Sequence, residues 1–221
     1  ALKDLVAINI SPLFGTPNDD VMVGLMGGTP YQGVGGNDIM LGIQVSADQV
    51  SDINTLLPDL ISSAPRTSGD LSLDGGDGND TITGLQGADT LTGGVGNDTF
   101  TIAVNSAVVG AAQTSGATLT DTITDFVSGT DKLNLAQATS FLGNYANFTA
   151  GSAATSGSGA GANQAFYSVA DSTVYVLATA GTLAATDTMV KLSNAPATLA
   201  AGDLNFGAGG NTIALTAAGS T

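Results

Sequence analysis

Cysteine and histidine are both absent from the 221 residues. Without them there is no disulfide, no Cys/His zinc site, no thiol nucleophile and no Ser-His-Asp triad. Glutamate is missing too, so all 19 acidic residues are aspartate. Basic residues number only 4, and the formal net charge is −15. That balance argues against nucleic acid and anionic membrane surfaces as partners. No apolar run reaches the roughly eighteen residues of a membrane span, and no span is expected. The chain begins at Ala1 with no cleavable leader in view, which reads as a processed product or an excised C-terminal piece. A secreted chain without disulfides needs another staple, and a bound metal is one.

What is present is turn-forming. Glycine contributes 31 residues, with much Ala, Ser and Thr, and 43% of the chain is hydrophobic. That is enough for a core, so the chain is not a disordered acidic tail. Aspartate is poor in helices, good in turns, and a short hard ligand for calcium. The length allows one or two domains.

Residues 75–101 read GGDGNDTIT, GLQGADTLT, GGVGNDTFT, three nine-residue units in tandem. Each divides into a six-residue turn and a three-residue strand. Glycines in the turn permit backbone angles that a Cβ forbids, so carbonyl oxygens can converge. The aspartate closes the turn with a carboxylate. The strand alternates, placing Ile82, Leu91 and Phe100 inward and β-branched threonines outward.

The template G-G-x-G-x-D-x-U-x, with U a large apolar residue, is identified as the calcium-binding nonapeptide of RTX (repeats-in-toxin) proteins. The resemblance implies an all-β fold, a right-handed parallel β-roll in which two units make one turn of a flattened coil. Residues eighteen apart then stack, and two stacked turns supply the six to eight oxygens, at about 2.3–2.6 Å, that calcium takes. Carried over by position, one turn offers Gly75, Gly76, Asp77, Gly78 and Asp80. The turn above it offers Gly93, Gly94, Val95, Gly96 and Asp98. Gly84, Gln86, Gly87 and Asp89 lie on the other side. The implied cofactor is Ca2+, as several ions. Without cations, Asp77, Asp80 and Asp98 would crowd like charges together.

Residues 15–41 are a degraded copy: GTPNDDVMV, GLMGGTPYQ, GVGGNDIML. The inward positions become Met22, Tyr31 and Met40, and Thr29 stands where the second unit's aspartate belongs. Asp20, Gly33, Gly35 and Asp38 form either another calcium site or a metal-free solenoid turn. Before this block, Leu5 to Ile10 alternate and suggest a leading strand in preference to a short helix capping the end of the roll. Residues 42–65 break the period and space Val50, Ile53, Leu56, Leu57, Leu60 and Ile61 helically, a helical insertion whose apolar face covers the side of the roll or, less simply, meets a neighbouring molecule. Residues 66–74 restore the phase with Leu73 inward. If the insertion loops out, turn 33–38 stacks on turn 75–80, and Gly36, Asp38, Gly75, Asp77 and Asp80 share a metal.

Residues 121–141 resemble the segment that follows the repeats in serralysin-type C-terminal domains, through Asp121, Ile123, Asp125, Phe126, Gly129, Asp131, Lys132, Leu133 and Leu135. The resemblance implies a cap: Phe126 plugs the core, and Asp125 and Asp131 either ligate a terminal calcium or cap turns. Residues 149–164 are a low-complexity linker. Residues 166–179 read as a hairpin around Ala170-Asp171-Ser172, and 186–199, 203–206 and 211–217 as further strands. This tail resembles the C-terminal region of RTX proteins exported by type I secretion. The expected division is a β-roll over 1–101 with its helical insertion, a capping segment over 102–148, and a β-rich secretion or assembly region over 149–221.

No catalytic constellation stands out. Asp171, Asp187 and Asp203 read as turn residues, and the chain is not expected to be an enzyme. The expected function is a secreted calcium-binding structural protein that folds on Ca2+ after type I export. It would self-associate at the cell surface as an S-layer or matrix component. A detached module of a larger RTX protease, lipase, toxin or adhesin, and a binding module with its ligand on the late β region, are the alternatives.

Overall fold

The computed structural model describes residues 4–5, 13–24, 30–42, 71–84, 88–102, 121–146, 162–177 and 188–206. The first strands are β1 (Asp4–Leu5), β2 (Leu13–Phe14), β3 (Asp20–Gly24), β4 (Pro30–Gln32) and β5 (Ile39–Gly42). The nonapeptide block forms β6 (Ser72–Asp77), β7 (Thr81–Gly84), β8 (Thr90–Val95) and β9 (Thr99–Ile102). Then come β10 (Asp121–Ile123), β11 (Lys132–Leu135) and β12 (Ser140–Tyr145). The last are β13 (Gln164–Ser168), β14 (Thr173–Val176), β15 (Thr188–Leu192) and β16 (Leu204–Phe206).

Up to β11 the chain alternates between two sheets. The seven-stranded sheet runs β1-β3-β5-β7-β9-β11-β16, and the nine-stranded sheet runs β12-β13-β14-β15-β10-β8-β6-β4-β2. Every pairing in the first is parallel. Parallel neighbours normally need long crossovers. Here the crossover is shared, because each coil sends one strand to each sheet. The architecture is the parallel β-roll implied by the nonapeptide, with one sheet extended by the antiparallel run β13-β14-β15.

The period of two inside each strand sorts the side chains. In the seven-stranded sheet Met22, Met40, Ile82, Phe100, Leu133 and Leu204 stand in single file, each opposite the next. The facing file is Tyr31, Leu73, Leu91, Ile123 and Leu192. All are buried in one cluster between the sheets. Flanking threonines such as Thr81 and Thr99 stay half-exposed on the outer face.

The two repeat blocks form one roll. Met40 of β5 pairs with Ile82 of β7, and Tyr31 of β4 with Leu73 of β6. Turn 33–38 therefore stacks directly on turn 75–80, as the phase of Leu73 indicated. Gly42 ends β5, and the rest of the expected helical insertion over 42–65 lies outside the described residues. So do Val6 to Ile10 of the expected leading strand, the linker up to Gly161, and the expected strand at 211–217. Phe126 is buried against Phe100, with ring centroids 6.2 Å apart, but the core continues past it to Leu133, Leu204 and Leu192, so it packs within the core and not as an end plug.

β16 arrives last and completes the seven-stranded sheet beside β11. A short 3-10 turn at Ala201–Asp203 sets it. The buried Asp203 carboxylate accepts Gly129 N–H at 2.8 Å, Ser128 Oγ at 2.6 Å and Ala200 N–H at 2.7 Å.

Candidate metal-binding flank

The roll has two flanks, where the chain crosses between sheets. On the flank entered from the nine-stranded sheet, the sixth-position aspartates form a row. Asp20, Asp38, Asp80, Asp98 and Asp131 are all buried. Each donates its backbone N–H to Oδ1 of the next: Asp20 to Asp38 at 2.8 Å, Asp38 to Asp80 at 2.7 Å, Asp80 to Asp98 at 2.9 Å and Asp98 to Asp131 at 3.1 Å. A parallel, exposed row forms one position earlier. Asn37 N–H reaches Asp19, Asn79 N–H reaches Asn37 Oδ1, and Asn97 N–H reaches Asn79 Oδ1, each at 2.8 Å. These rows fix the stacking of turns 15–20, 33–38, 75–80 and 93–98.

The second carboxylate oxygen points elsewhere. Oδ2 of Asp80 is buried without a hydrogen-bond partner. A side chain at Gly75 would run into that oxygen and, at 2.7 Å, into the carbonyl of Gly93. At Gly33 it would meet Asp38 Oδ2 and the carbonyl of Gly75. Gly15, Gly33 and Gly75 thus keep open a cradle lined by a carboxylate and the next coil's carbonyl. The fourth-position carbonyls also face along the row: Gly36 O toward Gly78, and Gly78 O toward Gly96. Only glycine can follow such a carbonyl so closely. The second position needs the left-handed region: Gly76 has φ 95° and Gly94 φ 96°. Val34 occupies the same place at φ 80°, a conformation that costs a side-chain-bearing residue about 1–2 kcal/mol.

Burial holds three of the row's carboxyls, those of Asp80, Asp98 and Asp131, toward the protonated form. Asp80 is raised from 3.8 to about 6, first by desolvation and then by the nearby charges of Asp38, Asp98 and Asp74, against the lowering effect of the Asp38 N–H. Asp98 and Asp131 are raised for the same leading reason. Like-charge repulsion, which the sequence suggested as the main obstacle, is secondary to desolvation.

The other expected residues fall as follows. Gly35 and Asp77 meet across the turn stack as an isolated bridge, and Asp77 pairs with Val95. Asp77 is exposed, outside the buried row. The Val95 carbonyl accepts Gly78 N–H at 2.8 Å. Asp125 and Asp131 close the stack by capping. Asp125 accepts Gly93 and Gly94 N–H at 3.0 and 2.8 Å, and Asp131 accepts Val127 N–H at 2.8 Å besides that of Asp98. Gly84 and Asp89 sit together on the opposite flank, while Gln86 and Gly87 lie outside the described residues. Asp171 accepts Tyr175 O–H at 2.6 Å within its hairpin turn, and Asp203 anchors β16, so both act as turn residues. Asp187 lies outside the described residues.

Sequence reasoning missed Asp121. Its Oδ1 accepts Asp89 N–H at 3.0 Å, and Asp89 Oδ1 accepts Leu71 N–H at 2.9 Å, a second row on the opposite flank. The signal was present: residues 116–124, GATLTDTIT, carry Gly, Asp and Ile at the first, sixth and eighth positions.

Among the described residues, no group of three or more Asp, Glu, His or Cys side chains gathers for a metal ion. A cation on this flank would depend on backbone carbonyls as much as on carboxylates. The donors on this flank are hard oxygens, and the buried Oδ2 of Asp80 has no hydrogen-bond partner. That donor set fits calcium and not a softer transition metal.

The family model described as "Peptidase M10 serralysin C terminal" matches residues 18–204. No curated protein matches the chain. Among solved structures, a subunit of the mannuronan C5-epimerase of Azotobacter vinelandii is similar, at 22% identity, over 100% of this chain and 97% of that one, with a TM-score of 0.37.

Proposed function

We propose, from the premise that this chain belongs to the serralysin C-terminal family with its RTX-type β-roll, that it is a secreted structural module folded by calcium outside the cell. The observation that supports this most directly is the unbroken buried row from Asp20 to Asp131, with Oδ2 of Asp80 lacking any hydrogen-bond partner. Carboxylates buried without countercharge destabilise a fold, so the chain alone is poised against its own compact state.

Each residue type has its part. The first-position glycines Gly15, Gly33 and Gly75 keep the cradle open. Oδ1 of Asp38, Asp80, Asp98 and Asp131 holds the neighbouring backbone in register, and Oδ2 of Asp80 with the turn carbonyls faces the cation position. Val34, Gly76 and Gly94 bend the chain so that those carbonyls align. When bound, calcium supplies the countercharge, and its binding free energy adds to folding free energy. At low cytoplasmic calcium the chain stays open enough to be exported by a type I apparatus. At millimolar calcium outside, above the dissociation constants of about 10⁻⁴–10⁻³ M typical of extracellular modules, it folds.

The module acts without catalysis and assembles with copies of itself at the cell surface. Circular dichroism in chelator and in calcium tests the first half of this reading. A cooperative gain of β signal with calcium is expected, and identical spectra would refute it. Negative-stain images with and without calcium test the assembly. A second reading has its own support: the matched family is by description a C-terminal region, which fits a calcium-dependent module of a larger secreted protein. A reading frame that encodes an enzyme domain upstream of Ala1 would select it.

A further inference from the structure

The two flanks are unequal. On the first, five buried aspartates succeed one another without a gap, each hydrogen-bonded to the next. On the second, the same position is held by Leu71, then Asp89, then Asp121. Leu71 is buried, 6% exposed, and donates its N–H to Asp89 as a row aspartate would, but brings no carboxylate of its own. In sequence the preceding unit carries Thr29 at this step. The stretches between β5 and β6 and between β9 and β10 are each far longer in sequence than a six-residue turn. An ion held between stacked turns needs oxygens from both, and an apolar side chain in the carboxylate's place removes one contribution and desolvates the rest.

We infer that calcium loads this roll on one flank, as a contiguous string along Asp20, Asp38, Asp80 and Asp98, and that the second flank carries no string because Leu71 interrupts it. Neighbouring sockets on the first flank share turns and carboxylates, so their filling is cooperative. Anything bound at Asp89 and Asp121 fills independently. The inference rests on the calcium reading above and deepens it by assigning the ions to one side. The first flank becomes a charged, metal-stiffened spine.

The test is calcium binding to the full chain, with bound ions counted by equilibrium dialysis and the Hill slope taken from calorimetry. The variants are Asp98→Asn and Asp89→Asn. Asp98→Asn is expected to lose more than one ion and to flatten the slope. Asp89→Asn is expected to lose at most one ion with the slope unchanged. Asp38→Asn, on the same row as Asp98, carries the same expectation and serves if Asp98→Asn does not fold in calcium. Equal losses of ions and slope from the two flanks would overturn the one-sided assignment while leaving calcium binding intact. No ion bound by the unaltered chain would overturn the calcium reading, and this inference with it.

Discussion

Replacing Asp80 with asparagine should move stability in opposite directions with and without calcium. The carboxyl is raised from 3.8 to about 6, chiefly by burial, so at neutral pH the charged form is disfavoured in the fold by roughly 3 kcal/mol. Asparagine keeps a carbonyl oxygen for the Asp38 N–H, now bonded at 2.7 Å, and removes the charge. An amide N–H left without a partner takes back about 1 kcal/mol, leaving a gain of roughly 2 kcal/mol in the metal-free chain. Urea melts followed by circular dichroism in chelator at neutral pH would show it. With a urea slope of about 2 kcal/mol/M, the midpoint should rise by about 1 M. If the unaltered chain is unfolded in chelator, the same gain appears as β signal that it lacks. In calcium the order reverses, because the variant has lost an anionic ligand. A variant less stable than the parent in chelator would refute the claim that burial of this carboxylate opposes the metal-free fold.

Acid should partly replace calcium. The folded carboxyl of Asp80 binds its proton more tightly than the unfolded one, so the metal-free fold binds more protons between pH 3.8 and about 6. Its contribution is complete below 3.8 and lost as pH rises through about 6, with Asp98 and Asp131 acting in the same direction. Urea midpoints in chelator should therefore be higher at pH 5 than at pH 7.5, whereas in calcium they should fall on acidification as protons compete for the ligand. Gly78→Ala should cost about 3 kcal/mol or more, since φ is 144° and the new methyl would collide with the Gly36 carbonyl. Gly129→Ala, at φ 88° but with open space around it, should cost only about 1 kcal/mol, and thermal melts in calcium would separate the two. Phe126→Ala should remove about 3–5 kcal/mol by emptying the core beside Phe100, measured by denaturant titration in calcium.

The nonapeptide legibly specified the coil because its information is local. Glycine at fixed steps sets the turn, and one apolar residue per three-residue strand sets the inward face. Ile82, Leu91 and Phe100 could be assigned from neighbours alone, and so could Met22, Tyr31 and Met40 in the degraded block. The hairpin of β13 and β14 was readable for the same reason, from strict alternation around Ala170-Asp171-Ser172. Asp38 and Asp80 were placed on one metal row because the phase survived the 42-residue step between them.

What the pattern could not convey depends on pairings remote in sequence. Nothing local shows that Leu204 lies beside Leu133, or that Asp203 holds Ser128 and Gly129 in place. Leu71 stands in a carboxylate's position only because stacking sets its N–H on Asp89. Asp121 looked like part of a cap until it proved to be a rung of the second row. Repetition let the chain alone dictate the winding of each coil, since every bond involved closes within nine residues or one turn of stacking. Which coils meet after long excursions, which oxygens are buried and which flank keeps its row unbroken were settled only by assembly, because burial belongs to the packed whole and not to any segment.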